Sequence, residues 1–286
     1  MSDEARDAWR LPDTFNFEGQ AIRCGSVGRA EQPPLVLVHG TPFSSVVWRR
    51  IAPYLAEHRH VFYYDLLGYG RSEMRPNQDV SLAVQGRLFA ALLRHWRLTK
   101  PEVVAHDFGG CTALRAHLLH GCDYGSLTLI DPVALAPWGS PFVRHVRDHE
   151  AAFAELPPYI HAAIVPAYIA GAAFHPLPSQ TLQLYAEPWL GASGQAAFYR
   201  QIAQMDQRYT DEIESRYGEM RCPVNIIWGE QDGWIPLERG YELAKRIAGS
   251  TLRVVPQAGH LVQEDAPEAL VAALLPDLTR PASRLP

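Results

Sequence analysis

The sequence predicts an α/β protein, a parallel sheet covered by helices on both faces and interrupted late in the chain by a long helical insertion. Three observations carry this prediction. Short β-branched or apolar runs at 35–38, 60–64, 102–105 and 126–130 alternate with segments of helical period, such as 81–96 with apolar Leu82, Leu88, Leu92 and Leu93. The alternation stops after Asp131, and 133–218 reads as helices broken by Pro137, Pro141, Pro157, Pro158, Pro166, Pro176, Pro178 and Pro188. Strand character then returns at 224–228 and 251–255, each followed by a helical stretch. Strand, helix, strand in repetition demands a parallel sheet buried on both faces. One core, 1–132 with 219–286, therefore surrounds an inserted helical domain, 133–218.

Composition narrows the function. A chain of 286 residues, 47% hydrophobic, is long enough to bury a large core. With 26 basic against 31 acidic residues and no Lys/Arg cluster, neither nucleic acid nor a membrane surface is an expected partner. The charged start, Met1 to Asp7, lacks the apolar core of a signal peptide, and no window approaches the roughly 18 apolar residues of a membrane span, so a cytoplasmic location is expected. Cys24, Cys111, Cys122 and Cys222 form no C-x-x-C pair, which fits reduced, mostly buried thiols rather than a zinc site or disulfide frame. No metal and no cofactor are expected.

In a parallel sheet, polar residues just after several strands converge on one edge. In Ala105-His106-Asp107-Phe108-Gly109-Gly110 a strand stops, small residues stand two positions either side of Asp107, and a helical pattern begins at once. This is the spacing of a nucleophile elbow, with Asp rather than Ser at its tip. Asp232 lies in the polar turn after the strand 224–228, and His260 follows the strand 251–255. Nucleophile, acid and histidine thus each follow their own strand. Asp131, at the end of an earlier strand, is the alternative acid. His39-Gly40-Thr41-Pro42 follows the run 35–38, so the backbone N–H groups of Thr41 and Phe108 are candidates for an oxyanion hole. Asp65, Arg71, His39 and His106 are read as structural.

Taken with Ser44, Ser45 and Trp48, with 65–72 (DLLGYGRS) and with 259–265 (GHLVQED), these motifs resemble the α/β-hydrolases that include epoxide hydrolases and haloalkane dehalogenases. The resemblance covers the core and is weakest in the insertion. It implies an α/β-hydrolase fold, a mostly parallel sheet with helices on both faces and a helical cap inserted after the sixth core strand. It also implies Asp107 as nucleophile, Asp232 as the acid and His260 as the base.

A carboxylate is already ionised at neutral pH and can displace a leaving group from sp3 carbon directly, forming an ester on Asp107. His260 is then free to activate the water that attacks that ester. Related dehalogenases hold the departing halide with an indole after the nucleophile, where this chain has Phe108. Related epoxide hydrolases protonate the opening ring with cap tyrosines, for which Tyr159, Tyr168, Tyr185, Tyr199, Tyr209 and Tyr217 are candidates, while Trp138 and Trp189 could supply a halide site. The expected substrate is a small apolar epoxide, with water as co-substrate. The alternatives are a haloalkane and, from another class, non-hydrolytic binding of a small molecule. Substrate identity, stereochemistry and oligomeric state, a homo-oligomer included, depend on the geometry of the insertion.

Overall fold

The structure is a computed structural model describing residues 9–278. The chain opens with a hairpin, β1 (Asp13–Phe17) and β2 (Gln20–Val27). Its two-residue turn, Glu18 and Gly19, has positive φ at both positions (51° and 77°), as a tight hairpin turn requires. Sequence analysis assigns no element here. There follow β3 (Pro34–Val38), α1 (Ala52–Leu55), β4 (His60–Tyr64), α2 (Leu82–His95), β5 (Glu102–His106), α3 (Phe108–His120) and β6 (Ser126–Ile130).

Between β6 and the next strand come only helices: α4 (Pro141–Asp148), α5 (Glu150–Ala154), α6 (Pro158–Ala170), α7 (Ser179–Ala186), α8 (Gly191–Ala203) and α9 (Arg208–Glu214), with short 3-10 turns. The core resumes with β7 (Val224–Gly229), α10 (Leu237–Arg246), β8 (Thr251–Val255), α11 (Val262–Asp265) and α12 (Pro267–Leu278). With the hairpin counted, the insertion point follows the sixth strand. Among the described residues no helix is long and apolar enough to cross a membrane. The four cysteines are free thiols, Cys24 and Cys111 buried, Cys122 and Cys222 partly so.

The eight strands form one sheet in the order β1-β2-β4-β3-β5-β6-β7-β8. β2 is antiparallel to both neighbours, and every pair from β4 to β8 is parallel. The last four residues of β3, β5 and β6 are all buried, with no polar alternation, because helices cover both faces. Burial of nearly the whole circumference of α3 extends this core behind the strand-to-helix turn at Asp107.

That turn is tight. Asp107 holds φ 52° and ψ −118°, and the small residues around it make room. A Cβ on Gly109 would lie 2.4 Å from the Val38 carbonyl oxygen, and one on Gly40 would lie 2.3 Å from Asp107 Oδ1. Both backbones approach too closely for a side chain. Gly109→Ala should therefore destabilise the protein by about 1–3 kcal/mol in denaturant unfolding. The control Gly218→Ala, where an added Cβ meets nothing within 4 Å, should stay within about 0.5 kcal/mol. Equal stabilities would contradict this account of the turn.

Candidate active site

Asp107 follows β5, Asp232 follows β7 and His260 follows β8, and the parallel sheet delivers all three to its carboxyl edge. His260 Nδ1 lies 2.8 Å from Asp232 Oδ2, and Nε2 lies 3.3 Å from Asp107 Oδ2, close enough to pair by charge but off the line of a hydrogen bond. Asp232 is fixed in turn by the N–H groups of Trp234 (2.7 Å) and Ile235 (2.9 Å) on Oδ1. The Thr41 N–H donates to Asp107 Oδ1 at 2.7 Å, so this donor already touches the Asp107 side chain. The Phe108 N–H heads α3, where an amide has no partner in the preceding turn, and its ring packs edge-on against Trp138. His260 Nδ1 is thus hydrogen-bonded, and Nε2 faces Asp107. Asp131 meets neither, its Oδ1 accepting instead from the Gly229 N–H at 2.8 Å.

Burial lowers the affinity of His260 for a proton, but the carboxylates of Asp232 and Asp107 outweigh it and raise its pKa well above the usual histidine value. His106, equally buried, goes the other way. Burial and the neighbouring His260 push it down to about 4, so it is neutral, and its Nε2–H donates to the His260 carbonyl at 2.9 Å. His39 and Asp65 brace the neighbouring loops. The His39 Nδ1–H reaches the Gly40 carbonyl while Nε2 accepts from the Leu66 N–H, and Asp65 accepts from the N–H groups of Ser45 and Arg71.

A cavity of about 40 Å³ opens onto Asp107, walled mainly by Phe108, Trp138, Val143, Tyr168, Met205 and Trp234. Of the six candidate tyrosines, Tyr168 alone lines it. Burial, reinforced by the charge of Asp107, keeps its phenol protonated. The others are spent elsewhere: Tyr159 is exposed, Tyr185 bonds Glu264, Tyr199 meets His161, Tyr209 accepts from Arg208, and Tyr217 donates to the Ala134 carbonyl. Both candidate indoles are also engaged, Trp138 with Thr210 Oγ1 at 3.0 Å and Trp189 with the Pro42 carbonyl at 2.7 Å.

Sequence analysis misses Gln201 and Trp234. Gln201 Oε1 accepts from the hydroxyls of Thr41 (2.8 Å) and Tyr69 (2.9 Å), which pins α8 to the loop carrying the Thr41 N–H. Trp234 lies over His260, 5.1 Å between ring centres, and stacks on Tyr168 at 4.8 Å. No local pattern marks either residue, since each is defined by a partner distant in the chain.

Residues 33–267 match the alpha/beta hydrolase fold family. The crystal structure of an alpha/beta hydrolase fold protein from Burkholderia ambifaria is similar at 60% identity, with a TM-score of 0.91 over 94% of this chain and 98% of that one. A haloalkane dehalogenase, DbeA from Bradyrhizobium elkani, shares 19% identity and a TM-score of 0.78 over 93% and 96% of the two chains, a likeness of fold. Among curated proteins, the 2-hydroxy-6-oxononadienedioate/2-hydroxy-6-oxononatrienedioate hydrolase of Cupriavidus pinatubonensis is 22% identical over 85% of each chain.

The geometry generates two expectations. Asp232→Asn should slow turnover on the order of 10⁴-fold, because it spoils the tautomer of His260, and Asp131→Asn should cost less than about tenfold; steady-state kinetics showing the reverse order would move the acid to Asp131. Removing the Asp107 charge should also lower the titration midpoint of His260. ¹⁵N-imidazole NMR of Asp107→Ala against the parent protein reads this shift, and an unchanged midpoint would show that the two groups are not coupled.

Proposed function

The chain belongs to the alpha/beta hydrolase fold family, and from that premise we propose that it is a hydrolase working through a covalent ester on Asp107, with a small apolar epoxide as substrate. The observation that carries this reading is the position of Asp107 between the Thr41 N–H on one oxygen and His260 on the other, with the Tyr168 phenol lining the same cavity. The carboxylate attacks a ring carbon, the C–O bond breaks, and the departing oxygen takes the Tyr168 proton. The helices of 133–218 then act as a cap that walls the reaction from water.

Charge sets the order of the steps. While Asp107 is ionised, two carboxylates hold the proton on His260. Esterification neutralises Asp107, so one of them is lost and the imidazolium yields its proton, which restores the Tyr168 phenol. His260 is now a base. It takes a proton from water, and the hydroxide adds to the ester carbonyl of Asp107. The Thr41 and Phe108 N–H groups face the resulting oxyanion, a kind of contact worth about 2.7–4 kcal/mol per donor. Collapse expels the alkoxide, which takes the proton from His260 and leaves as a diol, and the Asp107 carboxylic acid left behind passes its proton to His260, which restores the starting carboxylate and imidazolium.

Of the donors expected from the sequence, those present favour an epoxide, through the Tyr168 phenol, over a haloalkane, for which the Trp234 indole in the cavity wall is the remaining N–H. Phe108 has no side-chain N–H, and the indoles of Trp138 and Trp189 are already bonded. A variant unable to complete the second step should accumulate the ester. His260→Gln, incubated with small epoxides and with 1-haloalkanes and then digested, should show a peptide carrying Asp107 heavier by one intact epoxide. An adduct equal to the haloalkane minus hydrogen halide would instead assign dehalogenation. No adduct from either class would remove the covalent mechanism and favour simple binding.

A further inference from the structure

Behind His260 lies a second acid that the three-residue site leaves unused. Asp131 follows β6, wholly buried, with a φ of 41° that side chains other than glycine rarely adopt. Its amide donates to the Ile227 carbonyl (3.0 Å) and its Oδ1 accepts from Gly229 (2.8 Å), so the strained backbone is held in place from two directions. Oδ2 is different. It is buried and meets no N–H or O–H donor among the described residues, and the Asp131 carboxyl lies within hydrogen-bonding reach of the carboxyl of Asp232. His260 is the other ionisable group within reach.

Two buried carboxyls in contact cannot both ionise. Asp232 accepts from three N–H groups, those of Trp234, Ile235 and His260, whereas Asp131 accepts from one. Negative charge therefore settles on Asp232. A carboxylate offers about four acceptor directions, so one remains there for an O–H. We propose that Asp131 is the neutral half of a carboxyl–carboxylate pair, donating its Oδ2 proton to Asp232 and acting as a positioning residue that holds Asp232 against His260 Nδ1. Burial and the neighbouring Asp232 charge both push the Asp131 carboxyl well above the usual carboxylate range, against a smaller opposing pull from His260.

The pair also sets the charge that His260 feels. With Asp131 neutral, one negative charge lies behind the ring, and esterification of Asp107 removes the one in front. With Asp131 ionised, two would remain, and His260 would keep its proton when it has to act as a base.

The test uses the full chain. Infrared spectra of the wild-type protein with and without ¹³C-aspartate should show a carboxylic-acid C=O band at neutral pH, shifted by the label and lost in Asp131→Asn. The His260 midpoint by ¹⁵N NMR should be the same in wild type and Asp131→Asn, since no charge has been removed. In kinetics, Asp131→Leu, which deletes the donor, should lower kcat about tenfold with KM unchanged, and Asp131→Asn, whose amide can still donate, should restore it to within about threefold of wild type. Absence of the acid band from the wild type, or a lower His260 midpoint in Asp131→Asn, would overturn the proposal. If the leucine variant does not fold, the two spectroscopic arms decide. The inference rests on His260 as the base, but those arms read no turnover, so they fail separately from the hydrolase reading.

Discussion

A fully buried histidine held between two carboxylates is the constraint around which the rest of this molecule is arranged. Taking such groups out of water costs several kcal/mol per ion, and their mutual attraction offsets this only when their other oxygens are also satisfied. Backbone amides supply that satisfaction: Thr41 for Asp107, Trp234 and Ile235 for Asp232. Because the donors belong to the backbone, their positions follow from the strands that precede them. Gly40 and Gly109, two of the glycines without room for a Cβ, let these segments approach. Trp234 over His260, with Tyr168 and Phe43 beside it, keeps the dielectric low enough for the charges to act on one another.

The segment 133–218 grips the same edge at several points among the described residues, three of them through side chains. Gln201 holds Thr41 and Tyr69, Trp189 holds the Pro42 carbonyl, and Tyr185 joins Arg49 and Glu264 in a buried cluster four residues beyond His260. The first two act on the loop that supplies the Thr41 N–H, and the third on the segment that carries His260. Geometry at Asp107 and His260 is therefore coupled to the seating of the insertion. A cavity of about 40 Å³ has room for a few water molecules, so on the proposed reading an organic substrate enters only when the side chains that wall it move.

Much of the core was legible in the chain, because a buried parallel strand leaves a continuous apolar run and a strand-to-helix turn leaves small residues at fixed spacing. Asp107 and Asp232 each follow such a run, His260 follows the half-exposed edge strand β8, and the structure brings the three together. The hairpin Asp13–Val27 escaped because β1 is the edge strand of the sheet and both strands have mixed burial, with only Glu18-Gly19 as a turn signal. The choice among six tyrosines was not legible, since what separates Tyr168 from Tyr199 or Tyr217 is which partner each hydroxyl meets across the fold. The same holds for Trp138 and Trp189, whose indoles are satisfied by residues 72 and 147 positions away. Asp131 was legible as an acid at a strand end. The role proposed for it depends on the neighbouring carboxyl of Asp232, which no spacing records.

The central claim is that water attacks an ester of Asp107 and not the substrate. A single turnover in H₂¹⁸O, with enzyme in excess over epoxide, separates the two by mass spectrometry of product and protein. The account predicts an unlabelled first diol and one ¹⁸O in the Asp107 carboxylate. A labelled diol with Asp107 unlabelled would mean that the carboxylate never forms a bond to the substrate, and the account would be wrong.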